Sequence, residues 1–311
     1  MANQKDLNLI YTTIDKVFRW SMGEMADFSG AKYDGDFTMK LEDAQAAKHK
    51  FIADSLNIHE GSRVLDLGCG WGAFLKYIRD ERKAEGIGIT LSEGQAKACK
   101  KNGLNVYIKD CRTIKPDDFG KFDAIISVGA MEHFCSVEEY KAGLQETVYR
   151  NFFRTVHNLL NDGGKAYIQT MVFGRNMIPY EELDFNAPRD SAAYMLAIMT
   201  REFPGSWLPY EKDMVIDSAK PLFNVVSISS GRKDYIETID QWRKKYRNFD
   251  LRKYMIYLSY VPKYIFDKEF RERADSLITT PNKTCFEREI MEHYRIVFEK
   301  VPEQASLSNA A

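Results

Sequence analysis

The chain has 311 residues, with 44 Lys and Arg against 45 Asp and Glu for a formal charge of −1. That balance excludes the broad basic footprint a nucleic-acid binder needs to displace counterions from phosphates, and no window approaches the roughly 20 apolar residues of a membrane span. Five cysteines, Cys69, Cys99, Cys111, Cys135 and Cys285, form no C-x-x-C pair, so neither a zinc site nor a disulfide framework is expected and a reducing, cytoplasmic setting fits.

The first residues lack the basic start and apolar block of a secretion signal. Instead, Leu7, Ile10, Ile14, Val17 and Phe18 recur at helical spacing, which predicts an amphipathic covering helix rather than a membrane anchor. A second helix is predicted over Leu41 to Leu56. Short β-rich runs then alternate with helical patterns: RVLDLGC from Arg63, GIGIT from Gly86, NVYI from Asn105, FDAIISV from Phe122 and KAYIQTMVF from Lys165. Strand–helix alternation of this kind predicts an α/β fold with a doubly wound, mostly parallel sheet.

After Phe173 the rhythm breaks. Pro179, Pro188, Pro204, Pro209 and Pro221 punctuate residues 174–224, which read as an inserted lid or pocket segment. VVSISSG from Val225 resumes the sheet, the stretch from Tyr235 to Leu277 is helical, and EREIMEHYRIVFEKV from Glu287 to Val301 closes it as a last strand. The expected organisation is one domain over 1–305: a helical cover (1–57), a ligand-binding core (58–173), the insert (174–224), and sheet completion with helices (225–305). A disordered tail follows over 306–311.

The stretch RVLDLGCGWGAF carries glycines at Gly68, Gly70 and Gly72. Placed between a strand and a helix, they remove the side chains that would keep a ligand from the backbone. The spacing is G-x-G-x-G, and with Asp66 at the strand end it resembles motif I of S-adenosylmethionine-dependent methyltransferases. Trp71 sits inside the loop. The next strand ends in Thr90 and Leu91, followed by Ser92 and Gln95, where hydroxyl and amide groups stand in place of an acid for binding a ribose or a methionine moiety. Asp110, beside Cys111 after the third strand, is a candidate acceptor for an adenine amino group or a turn cap.

LEDAQAAK, VLDLGCGWGAF, GITLSEGQ, MEHF, REFPGSWLP and DYIETIDQW resemble, in order and spacing, the cyclopropane-fatty-acid synthase family over about residues 15–300. Plant alkaloid N-methyltransferases and prenyl-diphosphate C-methyltransferases are similar to the same family. The resemblance implies a Rossmann-like class I methyltransferase fold, S-adenosylmethionine as cofactor, no metal, and methyl delivery to a lipid-like or small-molecule acceptor. It implies that Phe28 and Ser29 cover the methionine end of the cofactor. It also places the family's pocket glutamate at Glu132, and a tyrosine that helps bind a catalytic bicarbonate at Tyr235.

Two departures fall in that bicarbonate site. Gly30 replaces the family's cysteine and Gln169 replaces its histidine. Gln169 still hydrogen-bonds but takes no proton near neutral pH. Methyl transfer to an alkene leaves a carbocation, which calls for an anionic group and a base. The expectation is therefore C-methylation of an unsaturated or electron-rich acceptor, using Glu132 assisted by Tyr235 and Gln169, with N-methylation and cyclopropanation as alternatives. His133 reads as a structural neighbour. Trp207 and Tyr210 are candidates either to wall the acceptor pocket or to pack. The basic stretch from Arg243 to Tyr254 is a candidate contact for a prenyl diphosphate, an acyl-carrier protein or an anionic membrane, or else a solvated helix face.

Overall fold

A computed structural model describes residues 21–23, 26–202, 205–248, 250–268, 270–271 and 281–302. Its strands are β1 (Arg63–Leu67), β2 (Glu85–Thr90), β3 (Asn105–Ile108), β4 (Phe122–Val128), β5 (Leu160–Phe173), β6 (Phe223–Ser230) and β7 (Met291–Lys300). They form one sheet in the order β3-β2-β1-β4-β5-β7-β6. Pairing is parallel from β3 to β5, and β7 runs antiparallel between β5 and β6. Because the chain leaves β1 toward β2 and β3 and then returns to β4 on the other side, a crevice opens at the carboxyl ends of β1 and β4, where open α/β sheets take their ligands.

Side-chain alternation along the strands builds a core on each face. Leu65, Ile125, Ile168 and Phe298 point to one side and meet Phe152, Phe153 and Val156 of helix α6 (Gln145–Leu159). Val64, Ile126, Tyr167 and Val297 point to the other and meet Ile52, Leu75 and Ile78. Ile52 belongs to α1 (Leu41–Ser55), and Leu75 to α2 (Ala73–Tyr77), which Ile78–Arg82 extends as a π-helical turn. Each such apolar side chain contributes about 1.5–3 kcal/mol by leaving water. Asp66 shares its face with Val64, so the strand's alternation carries this carboxyl into the same interior.

The remaining helices are α3 (Glu93–Lys101), α4 (Pro116–Phe119), α5 (Val137–Lys141), α7 (Ala192–Glu202), α8 (Glu211–Ala219), α9 (Arg232–Arg247), α10 (Leu251–Phe266) and α11 (Pro281–Glu287). Two sequence expectations need correction here. The last strand starts at Met291, because Pro281–Glu287 is helical and Glu289 turns the chain with a φ of 56°. β5 starts earlier than read, at Leu160. The expected first helix, Leu7 to Phe18, and the tail over 306–311 lie outside the described residues. Among the described residues no helix is long and apolar enough to cross a membrane.

Candidate active site

The three loop glycines do different work. All have positive φ, at 92° for Gly68, 55° for Gly70 and 81° for Gly72. A Cβ on Gly68 would stand 2.6 Å from the Ala130 Cβ, and one on Gly72 would stand 2.5 Å from Leu104 Cδ1. Nothing lies within 4 Å of the corresponding position at Gly70. Gly68 and Gly72 therefore let the protein close on itself, while Gly70 leaves a bare cradle. The loop is pinned by the Gly68 and Cys69 amides, which both donate to the Ile89 carbonyl at 2.9 and 3.0 Å.

That cradle opens into one cavity whose wall includes Phe28, Ser29, Asp66, Gly68, Gly70, Trp71, Thr90, Leu91, Gln95, Asp110, Cys111, Glu132, Gln169 and Tyr235. Of the site residues read from sequence, Gly72 stays off the wall and instead sits at the start of α2. Thr90 Oγ donates to Gln95 Oε1 at 2.7 Å, and Ser92 Oγ caps α3 by accepting from the Gln95 amide. Asp110 is a cap: its carboxylate accepts from the Arg112 amide at 3.0 Å and from the Arg112 guanidinium at 2.9 Å. Phe28 is half exposed and stacks on Trp242 at 4.5 Å.

Sequence reading missed a buried ionic cluster beneath Ser29. Asp27 accepts from Lys48 Nζ at 2.7 Å and from His49 Nε2 at 2.8 Å, and Ser29 Oγ donates to the other Asp27 oxygen at 2.6 Å. Burial pushes the Asp27 carboxyl up, but Lys48 and His49 outweigh it and hold the group well below the usual carboxylate range. Asp66 has no such rescue. Burial, with the Asp27 charge adding and Lys48 opposing, raises it to about 8. No motif announces Lys48 or His49; the only signal is a pair of polar residues on the inward stripe of α1.

Glu132 lies in a 3₁₀ turn just past β4, and 1% of its surface is exposed. Its Oε1 accepts from the Met171 amide at 2.8 Å, while Oε2 has no hydrogen-bond partner among the described residues. Desolvation raises it to about 7, the Met171 bond opposing. His133, half-buried, is lowered to about 4 by desolvation, which leaves it a neutral neighbour.

Gln169 is committed to the protein. Its Oε1 accepts from the Tyr167 hydroxyl at 2.8 Å, and its Nε2 donates to the Gly30 carbonyl at 2.8 Å. A Cβ on Gly30 would stand 3.1 Å from His293 Cε1 and 3.3 Å from the Tyr235 ring. The two side chains that elsewhere would hold bicarbonate are thus one absent and one occupied. Bicarbonate does not fit the seat the family resemblance implied.

Trp207 and Tyr210 are not on the cavity wall. Trp207 is buried against Tyr140 and Phe173 at 4.9 and 4.5 Å, and Tyr210 is exposed; the packing alternative holds for Trp207. The basic stretch is largely tied down: Arg243 faces Asp240, Lys245 faces Glu42, and Lys253 Nζ donates to the Lys245 carbonyl. Among the described residues no cluster of three or more His, Cys, Asp or Glu is arranged for a metal.

The model of a family described as mycolic acid cyclopropane synthetase matches residues 2–272. Cyclopropane mycolic acid synthase 3 of Mycobacterium tuberculosis is 30% identical over 236 residues, which cover 75% of this chain and 78% of that protein. The structure of the cyclopropane synthase MmaA2 from Mycobacterium tuberculosis aligns with a TM-score of 0.74 at 22% identity, over 96% of this chain and 98% of that one. The mycolic acid cyclopropane synthase CmaA1 complexed with SAH and CTAB aligns with a TM-score of 0.75 at 23% identity, over the same shares.

Proposed function

The chain belongs to the mycolic acid cyclopropane synthetase family and is an S-adenosylmethionine-dependent methyltransferase, and we propose that it C-methylates an unsaturated, lipid-like acceptor beside Glu132. The observation that carries this reading is the lone carboxyl oxygen of Glu132, buried and unpartnered on the wall of the cavity that begins at the glycine cradle. S-adenosylmethionine, when bound, supplies a methyl group made electrophilic by its sulfonium.

The chain's residues fit that cofactor. Gly70 leaves its cradle open to a ligand at the backbone, and Thr90, Leu91 and Gln95 stand where a ribose would be held. On the family resemblance, Asp110 and Cys111 would border the adenine end, and Trp71, Phe28 and Ser29 would cover the methionine end; all five line the cavity. Asp66 and Glu132 are carboxyls kept from water, and a positive centre brought near either one favours its ionised form. A neutral alkene becomes cationic as it is methylated, so an ionised Glu132 stabilises the transition state more than the ground state, which is the condition for catalysis. An amine acceptor would not need this arrangement. The Tyr235 ring, on the same wall, adds an aromatic face toward the developing charge.

The test is methyl-labelled S-adenosylmethionine offered with dioleoyl phosphatidylglycerol vesicles, an oleoyl carrier-protein thioester, geranyl diphosphate and simple amines, with product NMR. Label in a new C-methyl or a ring methylene is expected. Label confined to N-methyl groups would replace this reading by N-methylation.

A further inference from the structure

We propose that His293 on β7 is the proton acceptor of this reaction, supplying from the neighbouring strand the imidazole that Gln169 does not provide. The proposal rests on the C-methylation reading above.

Its basis is sheet register. In the β5–β7 ladder Met171 pairs with His293 and Gln169 pairs with Arg295. Directly opposed residues project to one face, so His293 stands one diagonal step from Gln169. Met171 is also the residue whose amide holds Glu132 Oε1. Carboxyl and imidazole therefore flank the same end of β5, and both line the cavity.

The surroundings make room for this ring. A Cβ on Gly231 would stand 2.4 Å from its Nδ1 and force the imidazole aside, and one on Gly30 would press on its Cε1 at 3.1 Å. Tyr235 packs on it at 4.8 Å. Gly231 crowds Nδ1, its backbone raises the basicity of the ring, and His293 lines the cavity; proton uptake is assigned to Nε2, which has the free lone pair when Nδ1 carries the N–H. Burial holds the imidazole well below its usual range, and the cations Arg295 and Lys48 act in the same direction. Arg295 is paired with Asp234 at 2.8 Å and Lys48 with Asp27. The Tyr235 phenol is the further titratable group packed on the ring. A neutral imidazole of low basicity suffices, because a C–H bond next to a carbocation is strongly acidic.

The step balances without a further reagent. The alkene π pair forms the new bond to the methyl carbon, and the carbon–sulfur bond breaks with its pair left on sulfur. A C–H bond beside the cation then breaks. Its pair forms a new C=C bond, or a ring bond when the hydrogen leaves the incoming methyl, and the proton goes to His293 Nε2.

The experiment uses the full chain with labelled S-adenosylmethionine and dioleoyl phosphatidylglycerol vesicles, in bicarbonate-free buffer. His293→Gln is expected to lower turnover about 10²-fold or more while S-adenosylhomocysteine affinity by calorimetry stays within about twofold, and added imidazole is expected to restore part of the rate of His293→Ala. Independently of activity, ¹⁵N NMR of the wild-type imidazoles should show one resonance displaced by N,N-dimethyldodecylamine, with that resonance absent in His293→Ala. Wild-type turnover in His293→Gln, an obligatory need for bicarbonate, or imidazole resonances indifferent to the amine would each overturn the assignment alone. A wild-type enzyme that methylates no alkene would overturn the functional reading and this assignment with it.

Discussion

At the scale of single residues, the decisive group is Glu132. Raised to about 7 by burial, it is protonated below that pH and ionised above it. Since the ionised form stabilises a cation, turnover should climb with pH through about 7 toward a plateau. Glu132→Gln should lose that limb along with about 10²–10⁴-fold in turnover, with cofactor affinity by calorimetry nearly unchanged. A variant that keeps a normal rate would remove the carboxyl from the chemistry. Glu132 was legible because it sits inside a short local motif, MEHF, directly after a strand. His293 was not. It lies on a strand read only as sheet completion, and its relation to Glu132 exists solely through the antiparallel register of β5 and β7. Asp27, Lys48 and His49 escaped for a similar reason, since their cluster forms only when α1 is laid over the loop before it.

At the scale of elements, the β1–α2 loop separates folding from binding. Gly68→Ala meets Ala130 at 2.6 Å with a φ of 92°. It should cost about 1–3 kcal/mol of stability, read as a lowered melting temperature. Gly70→Ala has open space and a φ of 55°, which an L residue adopts at about 1 kcal/mol. Its methyl group instead enters the cradle, so S-adenosylhomocysteine affinity should fall about tenfold or more, a loss of roughly 1.4 kcal/mol, while the melting temperature moves less than in Gly68→Ala. Equal affinities in Gly70→Ala and wild type would mean that the ligand does not lie against this backbone. The parallel strands β1 to β5 were readable in sequence because each is a short apolar run bounded by turn residues. The boundary before β7 was not, because EREIMEHYRIVF is apolar at both helical and strand spacing and only packing of Cys285 and Phe286 into the core decides where helix ends.

For the whole molecule, the ionisable groups sealed inside the site set how stability depends on pH. Asp66 and Glu132 have folded values of about 8 and about 7, above their ordinary ones. Their contribution is complete below about pH 4 and is lost as pH rises through the folded values, because the folded chain then holds protons that the unfolded chain has already released. His49, His133 and His293 are held below their ordinary value, chiefly by burial. Their contribution is complete above about pH 7 and is lost as pH falls through the unfolded value near 6.5, where the unfolded chain takes up protons that the folded chain refuses. The two sets oppose each other below about pH 7, the carboxyls favouring the acid side and the imidazoles the neutral side, and above it only the loss from the carboxyls remains. Asp66→Asn isolates the alkaline limb. Between pH 6 and 8 the wild-type melting temperature should fall relative to this variant by roughly 3 °C per pH unit, since one proton per unit is worth about 1.4 kcal/mol. A scan in which the two proteins fall in parallel would show that Asp66 is not sealed from water, and that the wall beneath the glycine cradle is wetter than its packing implies.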